Sequence, residues 1–185
     1  VLRNVGSGTF LDYAPTAAFT TAVGPHDVVA ADFDGDGRID VATANYGGFA
    51  SGSTFSVLRN LSSNGNVSFS ANLDFSVGTG PATAAVGDVD GDGFDDVLVG
   101  AWGYDRSVNT KDTGRVYLFN GSSNGLEFTP SWSAQPGTVA SDYCGRSVAG
   151  AGDVNNDGYA DAILIKLGAV VVERIAKNAL TLLQH

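Results

Sequence analysis

The sequence predicts an all-β chain assembled from repeated four-stranded antiparallel sheets. One acidic nine-residue spelling occurs three times, and other short landmarks return in the same order at a similar spacing. Between them, short runs of Val, Thr, Phe and Tyr are broken by Gly, Asn and Ser, the pattern of strands and turns rather than of helices.

The acidic segments read Asp32-Phe-Asp-Gly-Asp-Gly-Arg-Ile-Asp40, Asp88-Val-Asp-Gly-Asp-Gly-Phe-Asp-Asp96 and Asp153-Val-Asn-Asn-Asp-Gly-Tyr-Ala-Asp161. Asp32 and Asp88 are 56 positions apart, Asp88 and Asp153 are 65. Val1-Leu-Arg-Asn4 recurs as Val57-Leu-Arg-Asn60, Ser62-Ser-Asn-Gly65 as Ser122-Ser-Asn-Gly125, and Gly24-Pro25 as Gly80-Pro81. Ordered landmarks at nearly one period mark an internal repeat.

Each complete unit reads as four strands. In the unit at 23–80 they fall at 26–33, 39–46, 54–60 and 68–77, with the acidic loop joining the first two. The unit at 81–140 repeats them at 82–89, 96–102, 115–120 and 127–134. A partial unit at 141–167 supplies two, at 146–154 and 161–167, and residues 1–22 read as the last two strands of an earlier unit. Four short strands per period predict β-propeller blades, here a partial propeller of about three. Ala30-Ala31, Ala84-Ala85 and Ala149-Gly150-Ala151-Gly152 put small residues on the first strands, where blades converge on an axis. The tail at 168–185 breaks the pattern. Val172, Ile175, Ala176, Ala179, Leu180 and Leu183 fall at 3–4 spacing, so it is a short amphipathic helix candidate.

Composition narrows the function. The chain has 185 residues, enough for one domain with a sizeable core, and a net charge of -10. Of its acids, 18 are Asp and 2 Glu, and 11 of them sit at candidate ligand positions in the three loops, so the acidity is local rather than a diffuse tail. A nucleic-acid partner is disfavoured, because it needs a basic footprint. No apolar run of about 18 residues marks a transmembrane helix in this piece. Cys144 alone rules out an internal disulfide framework. The chain begins at Val1, in what reads as mid-repeat, as part of a longer protein does.

The loops point to a hard cation. Carboxylates at positions 1, 3, 5 and 9, a carbonyl at position 7 and glycine at position 6 make a cage of oxygen ligands suited to calcium. The candidate ligands are Asp32, Asp34, Asp36, Arg38 and Asp40 in the first loop, and Asp88, Asp90, Asp92, Phe94 and Asp96 in the second. In the third they are Asp153, Asn155, Asp157, Tyr159 and Asp161, with Arg38, Phe94 and Tyr159 offering backbone carbonyls. Two carboxylates about 4 Å apart repel by roughly 4 kcal/mol at an effective dielectric near 20, so four together call for a counter-ion. Zinc prefers His or Cys, and none lies in the loops. An EF-hand needs Glu at position 12, where this chain has Thr43, Val99 and Leu164 in strand-like runs. The competing reading is an acidic β-turn with no metal, since Asp-Gly is a common hairpin signal. Asn155 and Asn156 predict that the third loop binds most weakly.

These motifs resemble the FG-GAP repeat, also called the VCBS-type repeat, of integrin α-chain propellers and many secreted microbial proteins. The second unit carries Gly100-Ala101-Trp102, with Trp for Pro, and the third Cys144-Gly145, with Cys for Phe. The first is closer to the VCBS-type spelling, with Gly8-Thr-Phe10 before it. The resemblance covers about residues 1–165. It implies a calcium-binding segment of an extracellular or cell-surface protein, with structural metal and a role in adhesion or ligand binding, whose partner is a protein or a glycan. A carbohydrate-binding propeller appended to a secreted polysaccharide-degrading enzyme is the alternative. Catalysis within the segment is not expected: His26, His185, Cys144 and Ser147 show no catalytic spacing. Trp102, Trp132, Tyr46 and Tyr104 are candidates for sugar stacking, with blade packing the plainer role. Asn60, Asn66 and Asn120 lie in sequons that matter only in a eukaryotic secretory host.

Overall fold

The computed structural model describes residues 17–48, 51–105, 111–136, 140–158 and 160–175. Within them lie β1 (Pro25–Ala31), β2 (Asp40–Asn45), β3 (Thr54–Leu58), β4 (Leu73–Ser76), β5 (Pro81–Gly87), β6 (Asp96–Ala101), β7 (Arg115–Phe119), β8 (Trp132–Ala134), β9 (Ser147–Gly152), β10 (Asp161–Lys166) and β11 (Ala169–Arg174). They form three antiparallel sheets, ordered β1-β2-β3-β4, β5-β6-β7-β8 and β11-β10-β9. Each is a meander in chain order, as consecutive propeller blades are.

The middle sheet is buried on both faces, which is why β6 reads as the unbroken apolar run Val97-Leu-Val99. Val97, Val99, Ala101, Tyr117 and Phe119 pack toward the first sheet, against Ala42, Phe55, Val57 and Phe75. The alternate residues Leu98, Val116 and Leu118 turn the other way, onto Val148, Ala162 and Leu164 of the third. Phe55 and Phe75 stack at 4.7 Å, and Phe119 meets Phe55 edge-on at 4.8 Å. Truncating any of these rings to alanine removes about 3–5 kcal/mol, by lost burial and by the cavity left behind.

The first strands of the sheets lie side by side, β1 on β5 and β5 on β9. Their small residues allow that approach. Ala84 donates its N–H to the Asp27 carboxylate of the preceding sheet at 2.9 Å, and His26 Nδ1 lies 3.0 Å from the Ala82 carbonyl oxygen. All three acidic loops therefore emerge at one end, each between a sheet's first and second strands. The Phe94 ring of the second loop lies against Gly35 of the first.

The helix expectation for 168–185 is corrected where residues are described. Ala169–Arg174 forms β11, antiparallel to β10, with Lys166 opposite Ala169 across a two-residue turn. Gly168, at φ +75°, supplies the left-handed step of that turn. Val170, Val171 and Val172 are consecutive and β-branched, which favours a strand, and β10 offers a free ladder. Val171 packs on the core while Val170 and Val172 face outward, the two-residue period of a strand. Among the described residues the third unit thus keeps the two strands read at 146–154 and 161–167 and adds a third; residues 176–185 lie outside the described residues. The two strands read into 1–22 lie there too up to residue 16, and 17–22 carry no strand. The fourth strands are shorter than read: in the second unit, Pro130 lacks an N–H and the strand begins only at Trp132.

Candidate metal site

The three loops share one internal hydrogen-bond template. The N–H at position 5 donates to side-chain oxygens at positions 1 and 3: Asp36 to Asp32 and Asp34, Asp92 to Asp88 and Asp90, Asp157 to Asp153 and Asn155, all at 3.0–3.1 Å. The glycine N–H at position 6 donates to the second oxygen at position 1, from Gly37, Gly93 and Gly158 at 2.8, 3.1 and 2.8 Å. The turn needs positive φ at positions 4 and 6. Gly35 and Gly37, and Gly91 and Gly93, supply it, while the third loop uses Asn156, at φ 59°, before Gly158. Asn tolerates that region better than other non-glycine residues.

Position 9 opens the second strand of each sheet and is buried as Asp40, Asp96 and Asp161. Asp40 accepts the Asn60 N–H at 2.7 Å, and Asp96 accepts those of Gly121 and Val89 at 2.9 and 2.8 Å. These bonds fix the carboxylate and tie the loop to the strand beyond. As a result Asp32, Asp34 and Asp40 converge, each offering an oxygen within 4.8 Å of the others, and Asp88, Asp90 and Asp96 do the same. Among the described residues the third loop forms no such carboxylate trio, since its position 3 is Asn155. Asp36 and Asp92 stand outside the trios, each capping the residue after next: Arg38 and Phe94 donate their N–H groups to them at 2.9 Å. Tyr159 lies outside the described residues.

Electrostatics set the trios apart from ordinary turns. Burial pushes the Asp96 carboxyl up to about 6, with the nearby Asp90 charge adding to it against the backbone hydrogen bonds. Burial raises Asp40 too, with Asp34 and Asp36 in the same direction. Asp161, 1% exposed, keeps Oδ1 without a hydrogen-bond partner. Asp34 Oδ2 has the Arg59 guanidinium at 2.5 Å as counter-charge but no aligned hydrogen bond. Buried, under-satisfied, oxygen-only donors fit a hard cation such as calcium.

Sequence reading missed what stands over the loops. Arg59 pairs with Asp34 and Asp36, Asn120 donates to Asp90 Oδ2 at 2.7 Å, and the Arg174 guanidinium lies 3.6 Å from Asp157. Arg59 was already visible in the recurring Val-Leu-Arg-Asn landmark, but its target emerges only from the strand register. Desolvation apart, the two Arg38 and Arg59 charges and their hydrogen bonds hold Asp36 below the usual carboxylate range.

The remaining candidates fall elsewhere. Cys144 is fully buried between the second and third sheets. Tyr46 stacks on Trp102 at 5.6 Å, and Trp102 meets Tyr143 edge-on at 5.3 Å, at the end of the sheets opposite the loops. A cavity of about 260 Å³ there is lined by Trp102, Tyr143 and Arg146. Trp132 packs on the core, and Tyr104 lies under the Arg115 guanidinium. The Asn60 and Asn120 amides are both engaged, with Ile39 and Asp90.

Known proteins share this pattern. The FG-GAP-like repeat matches residues 1–43 and 44–99, and the FG-GAP repeat matches residues 80–119. The chain is 41% identical over 99 residues to integrin alpha-E of Mus musculus and 40% over 101 residues to that of Homo sapiens, in each case 51% of this chain and 8% of the relative. It is 29% identical over 171 residues to integrin alpha-8 of Mus musculus, which is 87% of this chain and 15% of the relative. The matched region thus spans a small fraction of each integrin. With more than half its length matched by the repeat and the blades in place, the chain belongs to the FG-GAP repeat family.

Proposed function

We propose that this chain is a calcium-binding propeller segment of a non-enzymatic extracellular or cell-surface protein that works in adhesion or ligand binding. The carrying observation is the convergence of the carboxylates at positions 1, 3 and 9 in two successive blades. The integrin α relatives support the adhesion-type reading. The ligand set would be Asp32, Asp34, Asp36 and Asp40 with the Arg38 carbonyl, and Asp88, Asp90, Asp92 and Asp96 with the Phe94 carbonyl. The third loop adds a weaker set from Asp153, Asn155, Asp157, Tyr159 and Asp161. Bound calcium neutralises the buried acids and pins the first strand of a blade to the second, a structural role. Calorimetric titration of the metal-free protein tests this: calcium binds at micromolar to millimolar concentration and magnesium more weakly, whereas no binding heat up to about 10 mM calcium overturns it.

A second reading is a glycan-binding propeller attached to a secreted polysaccharide-degrading enzyme. The cavity beside Trp102, Tyr143 and Arg146 favours it. Glycan-array binding lost on Trp102→Ala supports that reading; an array with no bound glycan contradicts it.

A further inference from the structure

The three acidic loops are alike in backbone but not in what faces them. Leu58 pairs with Val41, Phe119 with Val97 and Glu173 with Ala162, and in each case the second partner follows the position-9 aspartate. The next residue along the third strand is therefore structurally equivalent in all three blades: Arg59, Asn120 and Arg174.

Each of the three reaches the loop of its own blade. Arg59 Nε lies 2.5 Å from Asp34 Oδ2, whose side chain is 2% exposed, and its Nη2 lies 3.2 Å from Asp36. Arg174 stands 3.6 Å from Asp157. Asn120 occupies the same place in the second blade with a neutral amide, donating to Asp90, the counterpart of Asp34. The first loop carries a further arginine, Arg38, on Asp36 at 2.5 Å, where the second has Phe94.

We propose that the residue leaving the third strand decides which blades take up calcium, with Asn120 leaving the second loop open to the ion and Arg59 and Arg174 serving as built-in counter-ions in the first and third. This rests on the calcium reading and refines it. An arginine cannot shed its proton to make room. A divalent ion entering the first loop must displace the guanidinium from a buried carboxylate or share that carboxylate with a like charge. An amide meets no such conflict, since its carbonyl oxygen can turn toward a cation while its NH2 group turns away. Convergence of carboxylates is thus the same in the first two loops, and the net charge that awaits the ion is not. The second loop should bind at least about tenfold more tightly than the first.

The test exchanges the two residues in the full chain. Calcium titrations by calorimetry and melting curves in chelator are compared for wild type, Arg59→Asn, Arg59→Lys and Asn120→Arg. Arg59→Asn should gain one tight site, melt lower in chelator and recover in calcium. Arg59→Lys, which keeps the charge, should gain none. Asn120→Arg should lose the tight site and most of its calcium-dependent rise in melting temperature. If Arg59→Asn folds only with calcium present, that dependence itself supports the proposal. Unchanged site number and affinity in both Arg59→Asn and Asn120→Arg overturns it while leaving the calcium reading intact. Absence of calcium binding in wild type and in every variant overturns both.

Discussion

Gly100 and Gly145 meet backbone to backbone across the joint between the second and third sheets. A β-carbon on Gly100 would fall on the Gly145 carbonyl oxygen and lie 2.5 Å from Thr83 Oγ1, which donates to that same oxygen. The two glycines belong to the Gly100-Ala101-Trp102 and Cys144-Gly145 elements, so the repeat's two signature fragments are the halves of one inter-blade contact. Gly100→Ala should destabilise the protein by about 1–3 kcal/mol, because neither backbone can retreat. Gly150→Ala, on a strand where a β-carbon meets open space, should stay within about 0.5 kcal/mol. Urea midpoints of the two variants check this; equal effects would refute the close approach.

Asp90 shares the second trio with Asp88 and Asp96. Asp90→Ala should lower stability in calcium by about 1–2 kcal/mol more than in chelator, the linkage expected of a site near 0.1 mM at millimolar calcium. Melting curves in the two buffers check it. An identical drop in both would mean that Asp90 serves the turn alone.

Asp96 makes the metal-free protein sensitive to pH. Its folded-state carboxyl titrates near 6, above its ordinary value, so the folded state holds a proton that the unfolded chain has released. The stability this contributes is fully present below about pH 4 and is lost as pH rises through about 6. Without metal, stability should therefore fall between these values, and Asp96→Asn should flatten the fall. Bound calcium favours the ionised form and should remove the dependence. A wild type and an Asp96→Asn variant with parallel pH profiles would contradict the assignment.

Alternation along β11 offers a further check. Val171→Asp places a charge against the core and should cost about 2–3 kcal/mol, whereas Val172→Thr on the outward face should cost less than about 0.5 kcal/mol. Similar costs for both would be at odds with a strand at 169–174.

Much of the site was legible because its chemistry is local. The glycines that need positive φ, the aspartates at positions 1, 3 and 9 and the apolar run that follows lie within a few residues of one another. The stretch at 169–174 was misread because Val172 fits the helical spacing of the tail as well as the alternation of a strand, and only the free edge of β10 decides between them. Arg59, Asn120 and Arg174 escaped because they lie 17 to 30 residues from the carboxylates they face, and their equivalence depends on strand register. The Asp27 bond to Ala84 was hidden for the same reason: it joins two sheets 57 residues apart in the chain.

If these loops hold calcium, the ion stabilises the blades. Thermal unfolding of the wild-type chain in chelator, then in about 1 mM calcium, tests it most directly. At roughly 2–4 °C per kcal/mol for a chain of this size, one tight site should raise the midpoint by several degrees, reversibly on adding chelator and less in magnesium. Superimposable unfolding curves with and without calcium would mean that the loops hold no stabilising ion.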